Sequence, residues 1–345
     1  MESNKKNKKS NQKSYNKNNI ALTKSQKPIK IKIKIQYYKL KICFYFCFLL
    51  LYYNFHVNYK KKDIKNLNGR ICICTLGKEE NKYIREFIFH YKNYGVDKIY
   101  LYDNNDINGE HFESAISDYI TEEFVEILNW RGKQKIVYKI MNECYYKNKD
   151  NYDWIIFYEL DEFIHLSNYT NMKTFLKEKK FNKCQIIYLN LIVHGDNSQL
   201  YYQNYSLFKR FPNKVSKRIE NFLQVKMIIK GGIKGIKIKT TAQCDLLNKS
   251  YHLIKCNGFG HQIRQNGFHT DKTDYDYYYI DHFFCKSTEE FVNKLARGDI
   301  LQTGKALERY KIQRIKRYFQ YNILTNDKIK MIEKGLKLNL SSFKS

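Results

Sequence analysis

The sequence predicts an α/β domain preceded by a disordered basic tail and a single membrane-anchor helix. Three observations carry this prediction. Short apolar runs alternate with helical repeats after residue 70, the first 41 residues are rich in Lys and Asn, and an uncharged stretch lies between the two regions. Because 345 residues suffice for one large domain or two small ones, we expect a substantial core.

The N-terminal region combines a charged tail with a hydrophobic stretch. Residues 1–41 contain thirteen Lys and one Glu, and their low complexity predicts disorder. Residues 42–59 carry no formal charge and begin with the run ICFYFCFLLLYY. A bilayer span takes about 20 apolar residues, so this stretch predicts a short signal anchor. A buried hydrophobic helix or hairpin is the alternative.

The charge around this stretch also predicts an orientation. By the positive-inside rule, the Lys-rich tail would hold the N-terminus in the cytoplasm. We therefore expect a single-pass membrane protein, of Golgi type in a eukaryote or of the inner membrane in a bacterium.

Composition excludes some partners and leaves others open. The net charge is +28, but Lys, Asn, Ile and Tyr are abundant throughout, as codon bias in an AT-rich genome would produce. The 31 Tyr are scattered, and no RNA-recognition or zinc-finger signature is present. A basic nucleic-acid-binding protein is therefore the weakest hypothesis, and we expect no nucleic-acid partner. The spacings of the nine Cys predict neither a metal site nor a disulfide framework.

The first elements after residue 70 form a βαβ unit. The run ICICT (71–75) is apolar and β-branched, which predicts a strand. Apolar residues then recur at i, i+3, i+4 and i+7 from Ile84, and Gly95 stands where a helix would end. KIYLYDNND predicts a second strand ending at Asp103. Strand, helix and strand within about thirty residues predict a parallel pair.

Later segments continue the α/β pattern, and no obvious linker divides them. We predict a helix near 133–146, strands at 154–158, 185–193 and 224–229, a helix begun by the capping box of Ser287 and Glu290 and ended by Gly298, and a basic helix at 305–323.

Carboxylates follow a predicted buried strand in the run NYDWIIFYELDEFIHL, residues 151–166. Unpaired buried carboxylates are costly, so Glu159, Asp161 and Glu162 should have a positive partner. In an extended chain Glu159 and Asp161 would point to the same side. Such a pair suits a hard divalent cation. An acidic turn or a helix cap is the alternative.

This segment resembles the metal-binding segment of glycosyltransferase family 92 and of family-2-like glycosyltransferases, which is roughly D-W-x-x-x-x-D-x-D-E-F. Further segments resemble the family in order: EENKYIREFIFHYKNYGVDKIYLYDNND, GKQKIVYKIMNECYY, VHGDN with LFKRF, QVKMIIK and IDHFFCKSTEEFVNKLARGD. The resemblance covers about residues 71–300. Six segments in one order are specific, although several of them are weak individually.

The resemblance implies a Rossmann-like type-A glycosyltransferase fold with a mixed central sheet. It implies a catalytic domain at 71–300, between a stem at 60–70 and a C-terminal helical extension at 301–345. It also implies the transfer of a hexose from a nucleotide-diphosphate sugar, by analogy a UDP-sugar, to a glycan or glycolipid acceptor with inversion.

By the same resemblance, Asp161 would bind Mn²⁺ or Mg²⁺, and Glu159 would reach the metal through water or contact the ribose. His282 would be a late-arriving metal or diphosphate ligand, and Asp103 would face the ribose or base. Glu159 departs from the family, which usually has Asp there. That departure motivates a second hypothesis, a catalytically inactive relative that binds a sugar nucleotide.

Positive side chains and a base complete the predicted site. Lys226, Lys286 and Arg297 would stabilise the negative charge that develops on the leaving diphosphate. An inverting transfer needs a carboxylate near the acceptor hydroxyl. Glu162 and Asp196 are both candidates, and the sequence does not choose between them.

Overall fold

A computed structural model of the chain describes residues 69–215, 224–248, 250, 252–266, 269–270, 274–298, 303–338 and 340, together with the helical residues 41, 42, 44 and 47. Nearly all of the predicted tail, anchor and stem (1–41, 42–59 and 60–70) therefore lies outside the described residues. Among those that are described, no helix has the length and apolar character that crossing a membrane requires. Residues 64–345 form a compact unit of their own.

The strands of this unit are β1 (Ile71–Gly77), β2 (Lys98–Asp103), β3 (Val125–Asn129), β4 (Trp154–Ile156), β5 (Glu162–Leu166), β6 (Ile186–Val193), β7 (Val225–Lys230), β8 (Ile236–Thr240), β9 (Gln243–Leu246), β10 (Lys255–Asn257), β11 (Gln265–Asn266), β12 (His269–Thr270) and β13 (Tyr278–His282). The helices are α1 (Ile84–Asn93), α2 (Glu113–Thr121), α3 (Val137–Asn148), α4 (Met172–Leu176), α5 (Leu207–Arg210), α6 (Thr288–Ala296), α7 (Lys305–Tyr321) and α8 (Asn326–Leu336), with a 3₁₀ turn at Lys179–Phe181.

The central sheet is mixed. Its order is β3-β2-β1-β4-β7-β6-β13-β5, and β10 pairs with β6 beside this path. Strands β1 to β4 are parallel, β7 is antiparallel to both of its neighbours, and β5 is antiparallel to β13. The α/β fold with a mixed central sheet is therefore confirmed.

Both faces of this sheet are buried. In β1, Ile71 and Ile73 belong to the apolar cluster that contains the buried face of α1, whereas Cys72 and Cys74 belong to the cluster that contains α3. Alternating side chains point to opposite faces of a strand, so helices cover the sheet from both sides. This explains why β1 is almost entirely apolar instead of alternating with polar residues. The predicted helix end at Gly95 is confirmed by its φ of +78°.

Two disulfides link the sheet to its surroundings. Cys74 of β1 is bonded to Cys144 of α3, and Cys184 is bonded to Cys256 of β10. The cysteine spacings had indicated no disulfide framework and had left the pairing of the cysteines open. The partners are 70 and 72 residues apart in sequence, so their pairing depends on the fold and is not visible in local spacing.

The C-terminal helices form a third apolar cluster, to which Phe291 of α6, Ile315 of α7 and Ile332 of α8 contribute. Helix α6 begins with the predicted capping box, in which Ser287 and Glu290 bind each other's backbone. This packing fixes α6 next to the end of β13, where its polar face can take part in a site.

The pairing of β5 with β13 sets the geometry around the acidic segment. The predicted strand 154–158 ends at Ile156, and the chain turns before β5 begins, because Glu162 N donates to Glu159 O across 3.0 Å. Glu159 and Asp161 are therefore not side by side on an extended strand, as the sequence had suggested. Instead, the first residue of β5, Glu162, lies opposite the last residue of β13, His282.

Candidate active site

A cavity of about 440 Å³ opens at the edge of the sheet where β1 and β4 end. Thr75 and Leu76 of β1 line it on one side, and α3 contributes an apolar wall. The acidic turn, Lys226 of β7 and His282 of β13 form its floor, and α6 and α7 complete it. Ligands of open α/β sheets bind at such strand ends, and this volume lies within the range of small-molecule sites.

Three side chains on the floor of this cavity form a candidate metal centre. Ligand atoms of Asp161, Glu162 and His282 all lie within 4.8 Å of one another, and all three residues are buried. His282 Nε2 is 3.7 Å from Asp161 Oδ1 and 4.0 Å from Glu162 Oε1. The register of β5 and β13 produces this convergence, because directly opposed residues project to the same face.

The charge states of two of these groups, His282 and Asp161, suit a divalent cation. Burial lowers the pKa of His282 to about 4, so its ring is neutral near pH 7 and keeps a lone pair for a ligand. Its Nδ1 is buried and has no hydrogen-bond partner among the described residues. Burial opposes ionisation of Asp161, but the Lys294 ammonium and neighbouring cations more than offset it, so the pKa of Asp161 is lowered. A neutral imidazole and an ionised carboxylate are a fitting donor set.

The expected positive partners of the acidic segment are two lysines. Lys226 forms ion pairs with Glu159 and with Glu162. In the pair with Glu162, Nζ is 2.8 Å from Oε1, but the geometry is not that of a hydrogen bond. Lys294 Nζ is 2.6 Å from Asp161 Oδ2. Lys226 was predicted and Lys294 was not. Burial nevertheless raises the pKa of Glu162 to about 8, so Lys226 only partly compensates its desolvation.

Glu159 is more exposed than its neighbours and outside the group of converging ligand atoms. Its carboxylate contacts Lys226, whose charge lowers the pKa of Glu159 to about 2. The structure thus brings Glu162, predicted as a base, next to Asp161 and His282, in the position that the sequence had assigned to Glu159.

The other two predicted cations share one carboxylate. Lys286 Nζ is 3.2 Å from Glu80 Oε2, and Arg297 Nη2 is 2.6 Å from Glu80 Oε1. Both residues line a second, adjoining cavity of about 320 Å³, and Arg297 also lines the larger one, as do Glu80 and Lys294. Lys286 therefore lines the second cavity and not the larger one.

Asp103 and Asp196 are not brought to the larger cavity. Asp103 Oδ2 is 2.6 Å from Arg131 Nη1, so the structure gives this residue a buried ion pair instead of an open face towards a donor. Asp196 Oδ2 is 2.6 Å from Lys328 Nζ and accepts a hydrogen bond from Tyr318. Asp196, predicted as a possible base, is therefore buried and contacts Lys328 and Tyr318 away from the larger cavity.

The sequence model of the glycosyltransferase family 92 domain matches residues 70–305. The chain belongs to glycosyltransferase family 92.

Curated members of the family from plants match this family 92 chain over shorter segments. A family 92 protein of Ricinus communis is 23% identical over 128 residues, which are 36% of this chain and 22% of the relative. A family 92 protein of Arabidopsis thaliana is 26% identical over 106 residues, which are 30% of this chain and 18% of the relative. The matches thus span about a fifth of the length of these relatives.

Among solved structures, the family 92 chain is similar to Staphylococcus aureus TarS. The crystal structure of TarS 1–349 in complex with UDP has a TM-score of 0.34 and 13% identity, covering 80% of this chain and 75% of TarS 1–349. The complex with UDP-GlcNAc gives a TM-score of 0.32 and 13% identity, with 77% and 71% covered.

Sequence reasoning missed Lys294 and the ligand position of Glu162 in this family 92 site. Lys294 lies in the segment STEEFVNKLARGD, on the helix that the capping box had predicted, three positions before Arg297. Residues three apart are neighbours on a helix surface, so the predicted role of Arg297 was the available signal. No comparable signal existed for Glu162, because its neighbour His282 is on a distant strand.

Proposed function

We propose that this family 92 chain is a metal-dependent glycosyltransferase that moves a hexose from a nucleotide-diphosphate sugar to a glycan or glycolipid acceptor. The observation that carries the proposal is the convergence of Asp161, Glu162 and His282 in a cavity large enough for a small-molecule ligand. Family membership supplies the reaction class. A UDP-sugar and inversion at the anomeric carbon extend the proposal by analogy with the family.

The roles follow from the charges on the cavity wall. Asp161, Glu162 and His282 would hold Mn²⁺ or Mg²⁺, which stabilises negative charge on a leaving diphosphate. Arg297 and Lys294 lie on the wall above these residues and would add fixed positive charge. Lys226 keeps Glu159 oriented and limits repulsion between Glu159 and Glu162.

Of the two candidates for the catalytic base, we propose Glu162. Of the two proposed carboxylates, Glu162 lines the cavity and Asp196 does not. Burial raises its pKa to about 8, so once ionised Glu162 would be a stronger base than an ordinary carboxylate. Glu162 therefore has two proposed roles, metal ligand and base.

Membrane anchoring through residues 42–59, with the N-terminus in the cytoplasm, remains part of the proposal. The two disulfides support it, because disulfides persist in oxidising compartments, where an anchor of this orientation would deliver the catalytic unit. A candidate metal centre in a cavity of small-molecule size supports a sugar-nucleotide ligand over nucleic acid as the partner.

A second candidate function is that of an inactive relative that binds a sugar nucleotide without turnover. The specific observation in its favour is Glu159, whose carboxylate contacts Lys226 and stays outside the group of converging ligand atoms. An inactive relative would show calorimetric binding of a donor, with no release of nucleotide diphosphate for any acceptor.

The test uses the full-length chain in detergent and a panel of nucleotide sugars, with released nucleotide diphosphate as the readout. We expect turnover with Mn²⁺ or Mg²⁺ and none after chelation. Asp161→Asn should lower turnover on the order of 100-fold, with an unchanged circular dichroism spectrum. Asp118→Asn removes a carboxylate from an exposed ion pair and is the matched control. Equal activity of Asp161→Asn and wild type would refute the metal assignment.

A further inference from the structure

Helix α7 contributes a second charged wall to the larger cavity. Tyr310, Arg314 and Arg317 line it, and their spacing of i, i+4 and i+7 puts them on one helical face. The adjacent face of α7 is anchored in the core through Ile315 and Tyr318. The family match ends at residue 305, the first residue of α7, so this wall comes from outside the matched segment.

The two arginines differ from the other Lys and Arg side chains of the cavity in having no carboxylate partner among the described residues. Five cavity-lining cations form ion pairs with a described Asp or Glu: Lys78, Lys226, Lys239, Lys294 and Arg297. Within the described part of the chain, no Asp or Glu lies within ion-pair distance of Arg314 or Arg317. Both arginines are partly buried, so their charge is incompletely hydrated and not neutralised by the described protein.

Aromatic rings hold one of these side chains in place. The guanidinium carbon of Arg314 is 5.0 Å from the ring centroid of Phe284 and 4.8 Å from that of Tyr310. Stacking fixes the plane of a guanidinium and leaves its edge N–H groups free to donate. Burial, followed by the charge of Arg314, lowers the pKa of Arg317, which shows that the two like charges are close. An anion bound between the two guanidiniums would offset both their incomplete hydration and their mutual repulsion.

We propose that Arg314 and Arg317 form an oxyanion subsite that binds phosphoryl oxygens of a substrate. A guanidinium matches such oxygens with two parallel donors, and two guanidiniums suit a group with several negative oxygens better than a single carboxylate. The subsite rests on the proposed function in one respect, namely that the cavity holds the substrates. Its ligand can come from two sources, the diphosphate of the donor or a phosphate on the acceptor.

Calorimetry with inorganic pyrophosphate tests the subsite directly and requires no turnover. We expect Arg314→Gln/Arg317→Gln to bind pyrophosphate at least about tenfold more weakly than wild type, because the loss of even one charge-assisted contact has an effect of this size. Lys305→Gln/Arg309→Gln removes the same charge from exposed positions of α7 and should bind like wild type. Thermal melting checks that each variant is folded, and Arg314→Lys/Arg317→Lys, which keeps the charge but not the fork, should be intermediate.

Two further probes identify the source of the phosphate. A loss of affinity for UDP with unchanged affinity for uridine assigns the subsite to the donor. A loss for mannose 6-phosphate alone assigns it to a phosphorylated acceptor. Equal binding of all three phosphate probes by wild type and the Gln variant, or no binding by wild type, overturns the proposal. Because the readout is binding, an enzyme without turnover would still give a result, so failure of the proposed function is distinguishable.

Discussion

The ammonium of Lys294 is 2.6 Å from Oδ2 of Asp161, the carboxylate that we propose as a metal ligand. In the absence of a metal, Lys294 supplies the positive charge that this buried carboxylate needs. A divalent cation must therefore share Asp161 with Lys294 or displace it. Helix α6 thus carries both the partner of Asp161 and the wall of the cavity, which couples the metal centre to the substrate site.

Replacing this lysine should make the protein depend more on metal for its stability. In Lys294→Met, Asp161 loses its partner, and we expect the free energy of unfolding to decrease by about 3 kcal/mol. This value is the low end for a broken buried ion pair, because the Lys294 side chain is 25% exposed. Added Mn²⁺ should raise the melting temperature more in the variant than in wild type. Lys92→Met, which breaks an exposed pair with Glu122, is the control. Identical Mn²⁺ shifts in Lys294→Met and wild type would contradict this coupling.

Glu162→Gln should separate the two roles proposed for Glu162. The amide cannot accept a proton as a base, but its oxygen can still ligate a cation weakly. If Glu162 is the base, turnover should fall on the order of 100-fold while the Mn²⁺ affinity measured by calorimetry changes little. If Glu162 is mainly a ligand, Mn²⁺ affinity should fall, and excess Mn²⁺ should restore turnover. Unchanged affinity and unchanged turnover would exclude both roles.

Local sequence patterns predicted the parts of the fold that depend on neighbouring residues. Strand β1, helix α1 with its end at Gly95, and the capping box of α6 all appear as predicted. Strand β5 was not predicted, because its five residues are defined by pairing with β13, more than a hundred residues away. The same reason explains the error at Glu159, since the turn that moves its side chain away exists only because β5 begins at Glu162.

The site was predictable to the same extent. The segment containing Asp161 and the strand ending at His282 could be found from the sequence, since each is a local pattern. The sequence could not show which second acidic residue lies beside Asp161 and His282, because that depends on the register between two distant strands. Asp196 is a further example, because nothing in the segment VHGDN indicated that Lys328 would form an ion pair with its carboxylate.

The two disulfides predict a measurable dependence of stability on redox state. Each closes a loop of about 70 residues, and such cross-links contribute about 2–4 kcal/mol. We expect dithiothreitol to lower the melting temperature, and Cys184→Ser/Cys256→Ser to do so without a reductant. Cys285→Ser changes a buried free thiol and should not alter the sensitivity to dithiothreitol. Under denaturing conditions, the unreduced protein should contain four fewer maleimide-reactive cysteines than the reduced protein. Equal numbers of reactive cysteines before and after reduction would show that the two disulfides do not form.

His90 predicts a loss of stability under mildly acidic conditions. Burial lowers its pKa to about 4, and its Nε2 is 3.1 Å from the carbonyl oxygen of Ile164. An unfolded histidine has a pKa of about 6.5, so the unfolded state binds the proton first and stability falls as the pH decreases from about 6.5 towards about 4. His282 shares this direction, so the contribution of His90 must be measured as a difference. In chelator, the free energy of unfolding of His90→Phe should fall less over this range than that of wild type, by about 2 kcal/mol. Exposed His111→Phe should keep the wild-type slope. A His90→Phe slope equal to that of wild type would mean that the pKa of His90 does not differ between the folded and the unfolded protein.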